Sequence, residues 1–283
     1  MKKIIYLLSF LIVGCASVKE IIQNDVKVQL VRNATVKLTV NNKTILIDPI
    51  LGAKGENDPI PFSNKIRNPT ANLPTSVEDI IKNIDAVLLT HNHPDHLDST
   101  AINALPKHIT FFCQPSDLES LQNQGFENLI PINSEFNWEG VIISRYGASH
   151  HIGATGEPPF GESSSFSVKF NDNSIFITGD AILDEKLTAS LKKSSPSWII
   201  ANTGECQFTK ENPVLQPGQL MTLSKEELKQ ISLLMPEAKI IAVHLESINH
   251  CSLTREEIKL FLKSNDLINK ILVPNDNDII RLN

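Results

Sequence analysis

The sequence predicts an α/β fold with two β-sheets. Between about residues 76 and 125, short apolar runs alternate with helix-start signals, which is the order of an α/β domain. From about residue 128, apolar runs are separated mainly by turn sequences, which indicates a second sheet. The 283 residues are 41% hydrophobic, so the chain can bury a large core. We interpret residues 26–283 as one domain.

The N-terminal segment resembles the signal of a bacterial lipoprotein. A basic start at residues 1–3 precedes an apolar stretch at 4–13, which is too short to span a bilayer. Ile12-Val13-Gly14-Cys15 resembles the lipobox, whose cysteine is acylated and becomes the new N-terminus. We therefore expect a signal peptide at 1–14, a tether at 15–25 with lipidated Cys15, and a membrane-anchored protein of the bacterial cell envelope that faces the periplasm or the outside.

A β-meander is expected after the tether, because alternating polar and apolar residues are typical of half-buried strands. Its strands are predicted at 26–31, 35–40 and 44–48. Pro49 ends the third strand, so Asp48 stands at a strand end, where it either hydrogen-bonds a neighbouring loop or forms a turn. Residues 52–74 are rich in Pro, Gly and Asn, and we expect a long irregular flap near the functional site.

The rest of the chain supplies strands and capped helices. Further strands are predicted at 86–90, 109–112, 141–146, 166–170, 174–178, 198–200 and 240–243. Helices are predicted after Ser76 and Asp98, at 116–124, near 184–193, and after the capping boxes that start at Ser224 and Thr254. Gly125 is placed to end the helix at 116–124.

A cluster of metal-binding residue types follows the buried strand at 86–90. Residues 91–96 read His-Asn-His-Pro-Asp-His, three imidazoles and a carboxylate on a loop that a rigid strand holds. Imidazole and carboxylate are the ligands of zinc and related ions. The pattern therefore predicts the core of a metal site.

Three later strand ends carry further residues that can bind a metal. They are Ser149-His150-His151, Gly179-Asp180 and His244. Seven of the eight histidines lie in or beside these motifs. Because scattered structural histidines would spread along the chain, this grouping favours one shared site.

The motifs and their order resemble the metallo-β-lactamase superfamily. The resemblance implies a four-layer αββα sandwich of two mixed sheets. The strands leading to Asp48-Pro49 and the Ile-Ala-Val-His244 ending are similar to the branch of ascorbate-6-phosphate lactonases and of the phospholipase D that acts on N-acylphosphatidylethanolamine.

The resemblance also implies a centre of two zinc ions, with manganese or iron as alternatives. One ion would be held by His91, His93 and His150, with His151 nearly as good a candidate as His150. The other would be held by Asp95, His96 and His244, and Asp180 would bridge. Asp95 would also orient the attacking water or accept its proton.

Other polar residues near these motifs have two interpretations each. Asp48, Glu246 and His250 are candidates to bind the metal or to orient a ligand, and Glu246 and His250, with Asn249, also suit a substrate pocket or a helix start. Cys113, Cys206 and Cys251 are odd in number and lack C-x-x-C spacing. A disulfide framework is therefore not expected, although one of them could pair, bind metal or simply be buried.

The expected function is metal-dependent hydrolysis of an ester or lactone, or of a phosphodiester, in a small or lipid-like substrate. A phosphodiester would need cations near the metals, for which Arg67, Arg145 and Lys54 are candidates. The alternatives are an iron-dependent redox enzyme of the persulfide dioxygenase type, a β-lactam hydrolase and a metal-binding protein without catalysis. A net charge of −6 without a basic stripe does not favour a nucleic-acid partner.

Overall fold

The computed structural model describes residues 26–152 and 160–282, and these form two seven-stranded mixed sheets with helices. The signal peptide and lipidated Cys15 that we expect from the sequence lie outside the described residues. Among the described residues, no helix is long and apolar enough to cross a membrane.

The first sheet combines an antiparallel meander with a parallel half. Its strands in chain order are β1 (Lys27–Arg32), β2 (Thr35–Val40), β3 (Lys43–Ile47), β4 (Ala86–Leu88), β5 (Thr110–Cys113) and β6 (Leu129–Pro131). The last strand of the chain, at Ile279–Arg281, returns to pair with β1. The strands from β3 to β6 are parallel, so their carboxyl ends meet at one edge.

The second sheet is built in the same way. Its strands are β7 (Glu135–Trp138), β8 (Val141–Ala148), β9 (Ser163–Phe170), β10 (Asn173–Ile177), β11 (Trp198–Asn202), β12 (Lys239–Val243) and β13 (Ile271–Leu272), and the strand at Ile279–Arg281 is β14. β7 to β10 are antiparallel, and β10 to β13 are parallel.

In the part of the chain that the structure describes, six α-helices flank the sheets. They are α1 (Val77–Ile81), α2 (Ser99–Ala104), α3 (Leu118–Asn123), α4 (Glu185–Ser194), α5 (Lys225–Leu234) and α6 (Arg255–Ser264). Ser76 and Asp98 cap α1 and α2 through their side-chain oxygens, as predicted. The predicted capping boxes at Ser224 and Thr254 are both present.

Three buried layers confirm the four-layer sandwich. Between the sheets, Val36 and Leu88 of the first sheet belong to the same apolar cluster as Phe166 and Ile177 of the second. The outer face of the first sheet packs against α1 to α3, and the outer face of the second packs against α4 to α6. Helices thus cover the two outer faces, and the two inner faces bury each other.

The sequence patterns did not predict the shortest strands at the sheet edges. β6, β7, β13 and β14 are two to four residues long, and such short strands carry no clear alternation. The predicted helix at 116–124 starts as a 3₁₀ turn at Pro115–Asp117 before α3. β9 begins at Ser163 rather than at residue 166, and pairs with β8 as far as Ala148. This extra pairing brings the segment after β8 towards the carboxyl ends of β4, β10 and β12.

Candidate metal centre

The seven residues predicted as metal ligands come together in two adjoining groups. One group contains His91, His93 and His150, and the other contains Asp95, His96, Asp180 and His244. Within each group, one potential ligand atom of every residue lies within 4.8 Å of the others. Four separate strand ends thus meet where the resemblance implies a metal centre.

Asp48 fixes the loop that follows β4. Its Oδ1 accepts a hydrogen bond of 2.8 Å from the Thr90 N–H, and its Oδ2 accepts one of 2.8 Å from the Thr90 hydroxyl. Oδ2 also accepts from Nδ1 of His96 at 2.9 Å. Since the carboxylate accepts only, His96 donates through Nδ1, and its Nε2 is directed towards the site. The sequence-based expectation that Asp48 hydrogen-bonds the histidine loop matches this geometry.

The same contact orients His91 indirectly. Because the Thr90 hydroxyl donates to Asp48, its oxygen is left to accept from Nδ1 of His91, at 3.1 Å. His91 is completely buried, and its Nε2 has no hydrogen-bond partner among the described residues. Burial and the neighbouring imidazoles hold the pKa of His91 well below its ordinary value, so the ring is neutral.

His93 presents the opposite ring nitrogen. Its Nε2 donates to the carbonyl of Phe160 at 2.7 Å, which leaves the lone pair of Nδ1 free. This Nδ1 lies 3.3 Å from Nε2 of His150. Burial lowers the pKa of His150 to about 4, against the opposing effect of Asp180. Both rings are therefore set to offer a lone pair to a cation.

Asp180 lies between the two groups. Its Oδ1 is 3.2 Å from Nε2 of His96 and 3.7 Å from Nε2 of His244, while its Oδ2 is 3.8 Å from Nε2 of His150. Burial alone would raise the pKa of Asp180, but the charges of His96 and His244 hold it well below its ordinary value. Gly179 is required before it, since a Cβ at φ +57° would lie 2.6 Å from the carbonyl of Ser164.

The chemistry of the two groups suits divalent cations. The Nε2 atoms of His91 and His244 are buried and lack a hydrogen-bond partner among the described residues. Asp95 and Asp180 add buried carboxylates beside them. Unpartnered polar atoms and buried negative charge are costly, and a bound cation relieves both. His and Asp donors fit zinc, manganese and iron alike.

The structure distinguishes between the candidate site residues that the sequence left as alternatives. His150 is 4% exposed and joins the first group, whereas His151 is partly exposed and bonds the carbonyl of Ile152. Glu246 is exposed and pairs with Arg255, the first residue of α6, which matches the helix-start interpretation of this residue. His250 lies beside the second group, with Nε2 3.9 Å from Oδ2 of Asp95.

A single disulfide joins Cys206 and Cys251 among the described residues, which is the pairing alternative that the sequence left open. The two residues are 45 positions apart, and only the pairing of distant loops brings them together. Their sulfurs lie 3.7 and 3.5 Å from Nδ1 of His244. The disulfide therefore fixes the loop after β12 against the loop after β11. Cys113 is the buried free cysteine.

A cavity of about 360 Å³ opens beside the two groups. Its wall includes His93, Asp95 and His150, and is otherwise largely apolar. The apolar residues are Ile60, Pro61, Phe62, Pro94, Phe160, Phe208, Pro213, Val214 and Met221. Ile60 to Phe62 belong to the loop at 52–74, which agrees with the flap predicted near the site.

The three candidate cations do not line this cavity. Arg67 pairs with Asp58, and Arg145 donates to the hydroxyl of Ser164 at 2.9 Å. Lys54 is exposed. In these positions none of the three candidates is placed to contact a substrate phosphate in the cavity beside the metal-binding groups.

We predict that Asp48→Asn weakens zinc binding by about 10- to 100-fold, as loss of a partner that orients a ligand does. The amide nitrogen cannot accept from both Thr90 and His96 as Oδ2 does. Competition with a chromophoric chelator measures the dissociation constant. Asp172→Asn, in the exposed turn between β9 and β10, is the matched control. Unchanged zinc affinity in folded Asp48→Asn protein would contradict the orienting role.

Comparisons with known proteins agree with this geometry. The family model described as "Beta-lactamase superfamily domain" matches residues 43–244. UPF0173 protein YddR of Bacillus subtilis (strain 168) is 32% identical over 252 residues, covering 88% of this chain and 96% of that protein.

Two solved structures are similar over nearly the whole chain. A possible metal-dependent hydrolase from Veillonella parvula DSM 2008 has 30% identity and a TM-score of 0.85, covering 91% of this chain and 99% of that one. The isothiocyanate hydrolase from Delia radicum gut bacteria has 31% identity and a TM-score of 0.83, covering 90% and 98%. The matches confirm the expected superfamily, sandwich and enzyme class, while the narrower branch stays a prediction. The chain belongs to the β-lactamase superfamily domain family, with the metallo-β-lactamase fold.

Proposed function

We propose that this protein is a metal-dependent hydrolase of small, uncharged molecules with an apolar body. One observation carries the proposal: a largely apolar cavity opens onto both His/Asp groups, and no Lys or Arg of residues 26–152 and 160–282 lines it. Residues 153–159 contain no Lys or Arg either. Apart from any bound metal ions, a substrate in this cavity meets metal-binding and apolar side chains, and no Lys or Arg that would bind an anionic group.

In this proposal the two groups hold two divalent ions, for which zinc is the first choice. His91 and His150 offer Nε2 and His93 offers Nδ1 to one ion. The other ion is held by Asp95, His96 and His244. Asp180 has one oxygen towards each group, which supports a bridging role. Ions bound there would supply an activated water molecule and polarise the bond under attack.

The protein contributes positioning and proton transfer. Asp95 belongs to the second group and also lines the cavity, so it is placed to accept the proton of the attacking water. Phe160 and Phe208 form part of the apolar wall against which the body of the substrate packs.

Charge decides between the candidate substrates. Phosphodiesters and β-lactam antibiotics carry an anionic group, and recognition of such a group generally uses Arg or Lys. Esters, lactones and isothiocyanates are uncharged, and each has an electrophilic carbon next to an apolar body. The name of the 31% identical isothiocyanate hydrolase supports including isothiocyanates in this class.

We expect the zinc-loaded protein to hydrolyse benzyl isothiocyanate, phenyl acetate or an aryl lactone faster than bis(4-nitrophenyl) phosphate or a cephalosporin. The value of kcat/KM should be at least about tenfold higher for the uncharged substrates. A tenfold difference corresponds to the favourable contact with a charged side chain that the anionic substrates lack in this cavity. Product formation is followed by absorbance with metal content measured in parallel. Preferred turnover of the phosphodiester would refute the substrate class. Iron at one atom per chain with oxygen consumption would instead favour the redox alternative.

Adjacent histidines provide a matched test of the ligand set. We predict that His150→Ala lowers the bound metal to about one ion per chain or fewer and reduces turnover by two orders of magnitude or more, by loss of a ligand. His151→Ala should keep its metal, because its ring bonds the carbonyl of Ile152. Elemental analysis of both purified variants measures the bound metal per chain and so decides which histidine is the ligand. Metal loss in His151→Ala alone would assign the ligand to His151.

We also propose that Cys15 is lipidated and anchors the protein in the bacterial cell envelope, facing the periplasm or the outside. The support is the basic start, the apolar stretch at 4–13 and Ile12-Val13-Gly14-Cys15. The Cys206–Cys251 disulfide adds support, because disulfides persist mainly in oxidising compartments.

We expect Cys15→Ser to abolish incorporation of an alkyne fatty acid and to release the protein from the membrane fraction. Two acyl chains anchor firmly, and residues 26–152 and 160–282 contain no helix that could cross a membrane in their place. Cys113→Ser is the control, since Cys113 is buried in the fold. Labelling of the Cys15→Ser protein that equals the control would rule out this site.

A further inference from the structure

The wall of the cavity contains four polar side chains among the described residues, and three of them belong to the metal-binding groups. These three are His93, Asp95 and His150. The fourth is His250. Because binding sites of this kind use a few polar groups on an apolar wall to orient the ligand, His250 stands out as the polar group that the metal centre does not use.

The ring of His250 is available for a hydrogen bond. The residue is 6% exposed, and Nδ1 is buried without a hydrogen-bond partner among the described residues. Nε2 lies 3.9 Å from Oδ2 of Asp95, which is beyond hydrogen-bond distance. Nε2 makes no hydrogen bond among the described residues, so a substrate atom in the cavity that pairs with it satisfies a polar group of the wall.

The neighbours of His250 in the chain fix its position. The carbonyl of His250 accepts from the Gln207 N–H at 2.9 Å, and Cys251 is bonded to Cys206. On the other side, the Asn249 amide accepts from the N–H of Ile60 at 2.9 Å and donates to its carbonyl at 3.1 Å. The imidazole is thus attached to a segment held on both sides, and Asn249 ties it to the flap that forms the facing wall.

The cysteines do not make His250 part of another metal site. Cys206, His250 and Cys251 have potential ligand atoms within 4.8 Å of one another. However, the two sulfurs are bonded to each other, and metal binding requires free thiolates. His250 therefore faces the cavity beside a structural disulfide.

We propose that His250 orients the substrate by a hydrogen bond to its heteroatom, and that the substrate consequently has an apolar body with one uncharged hydrogen-bonding group. This inference rests on the proposed substrate class. The apolar wall binds the body, and His250 fixes which end of the molecule lies towards the His/Asp groups. His250 is thus a residue that determines specificity.

Binding of two neutral probes tests the proposal without requiring turnover. Benzamide offers an amide to His250, and ethylbenzene has a similar size without a polar group. In zinc-loaded protein, His250→Leu should weaken benzamide binding about fivefold, the value of one hydrogen bond, and change ethylbenzene binding less than twofold. His250→Gln, which keeps a donor and an acceptor, should hold benzamide within about threefold. His108→Gln, at an exposed site, is the control.

Ligand-observed NMR titration gives the dissociation constants, and elemental analysis gives the zinc content of each variant. Equal weakening of both probes in His250→Leu would show a role in shape alone and overturn the proposal. Zinc loss in His250→Leu and His250→Gln would assign His250 to the metal and also overturn it. If His250→Leu does not fold, His250→Asn, whose shorter amide withdraws the polar atoms, replaces it with the same expectations.

The two proposals fail separately. If no ester, lactone or isothiocyanate is turned over but the probes behave as expected, the binding role of His250 stands and the reaction class is wrong. If turnover is found but benzamide binds the His250→Leu protein as tightly as the unchanged protein, the reaction stands and the orienting role is wrong.

Discussion

The hydrogen bonds of Asp48 are the constraint on which the candidate centre depends. One buried carboxylate holds the backbone and hydroxyl of Thr90 and the imidazole of His96, and through Thr90 it also sets the ring of His91. Removing a charge from water costs several kcal/mol unless its oxygens are used. Here both oxygens are used, so the two rings hold their Nε2 atoms towards the site before any ion binds.

The sandwich explains why such distant residues meet. The parallel strands of each sheet end at one edge, and the sheets face each other, so the ends of β4, β10 and β12 converge. The backbone bends sharply at the ends of β3 and β12, where Asp48 and His244 have φ of 45° and 65°. Such conformations cost roughly 1–3 kcal/mol each in residues other than glycine and are typical of functional sites. The sheets provide the packing that offsets this cost.

Local sequence patterns predicted the features whose geometry is set by residues close together in the chain. The His-Asn-His-Pro-Asp-His motif and the helix caps are readable because spacing alone defines their geometry. The Cys206–Cys251 pair and the wall formed by Ile60, Phe160 and Phe208 depend on loops that meet only in the folded protein. Glu246 looked like a site residue because it follows His244 closely, yet the turn between them directs it to Arg255.

Phe160 has two roles that a single residue must reconcile. Its carbonyl accepts the proton that fixes the ring of His93, and its side chain forms part of the cavity wall. A change of backbone position at 160 would alter metal geometry and cavity shape together. Evolution of a new substrate preference is therefore easier at Phe208 or Met221, whose side chains line the wall and whose carbonyls do not bond a metal-binding histidine. The protein can change what it accepts by side-chain substitution, while the main chain at Phe160 stays fixed by the metal centre.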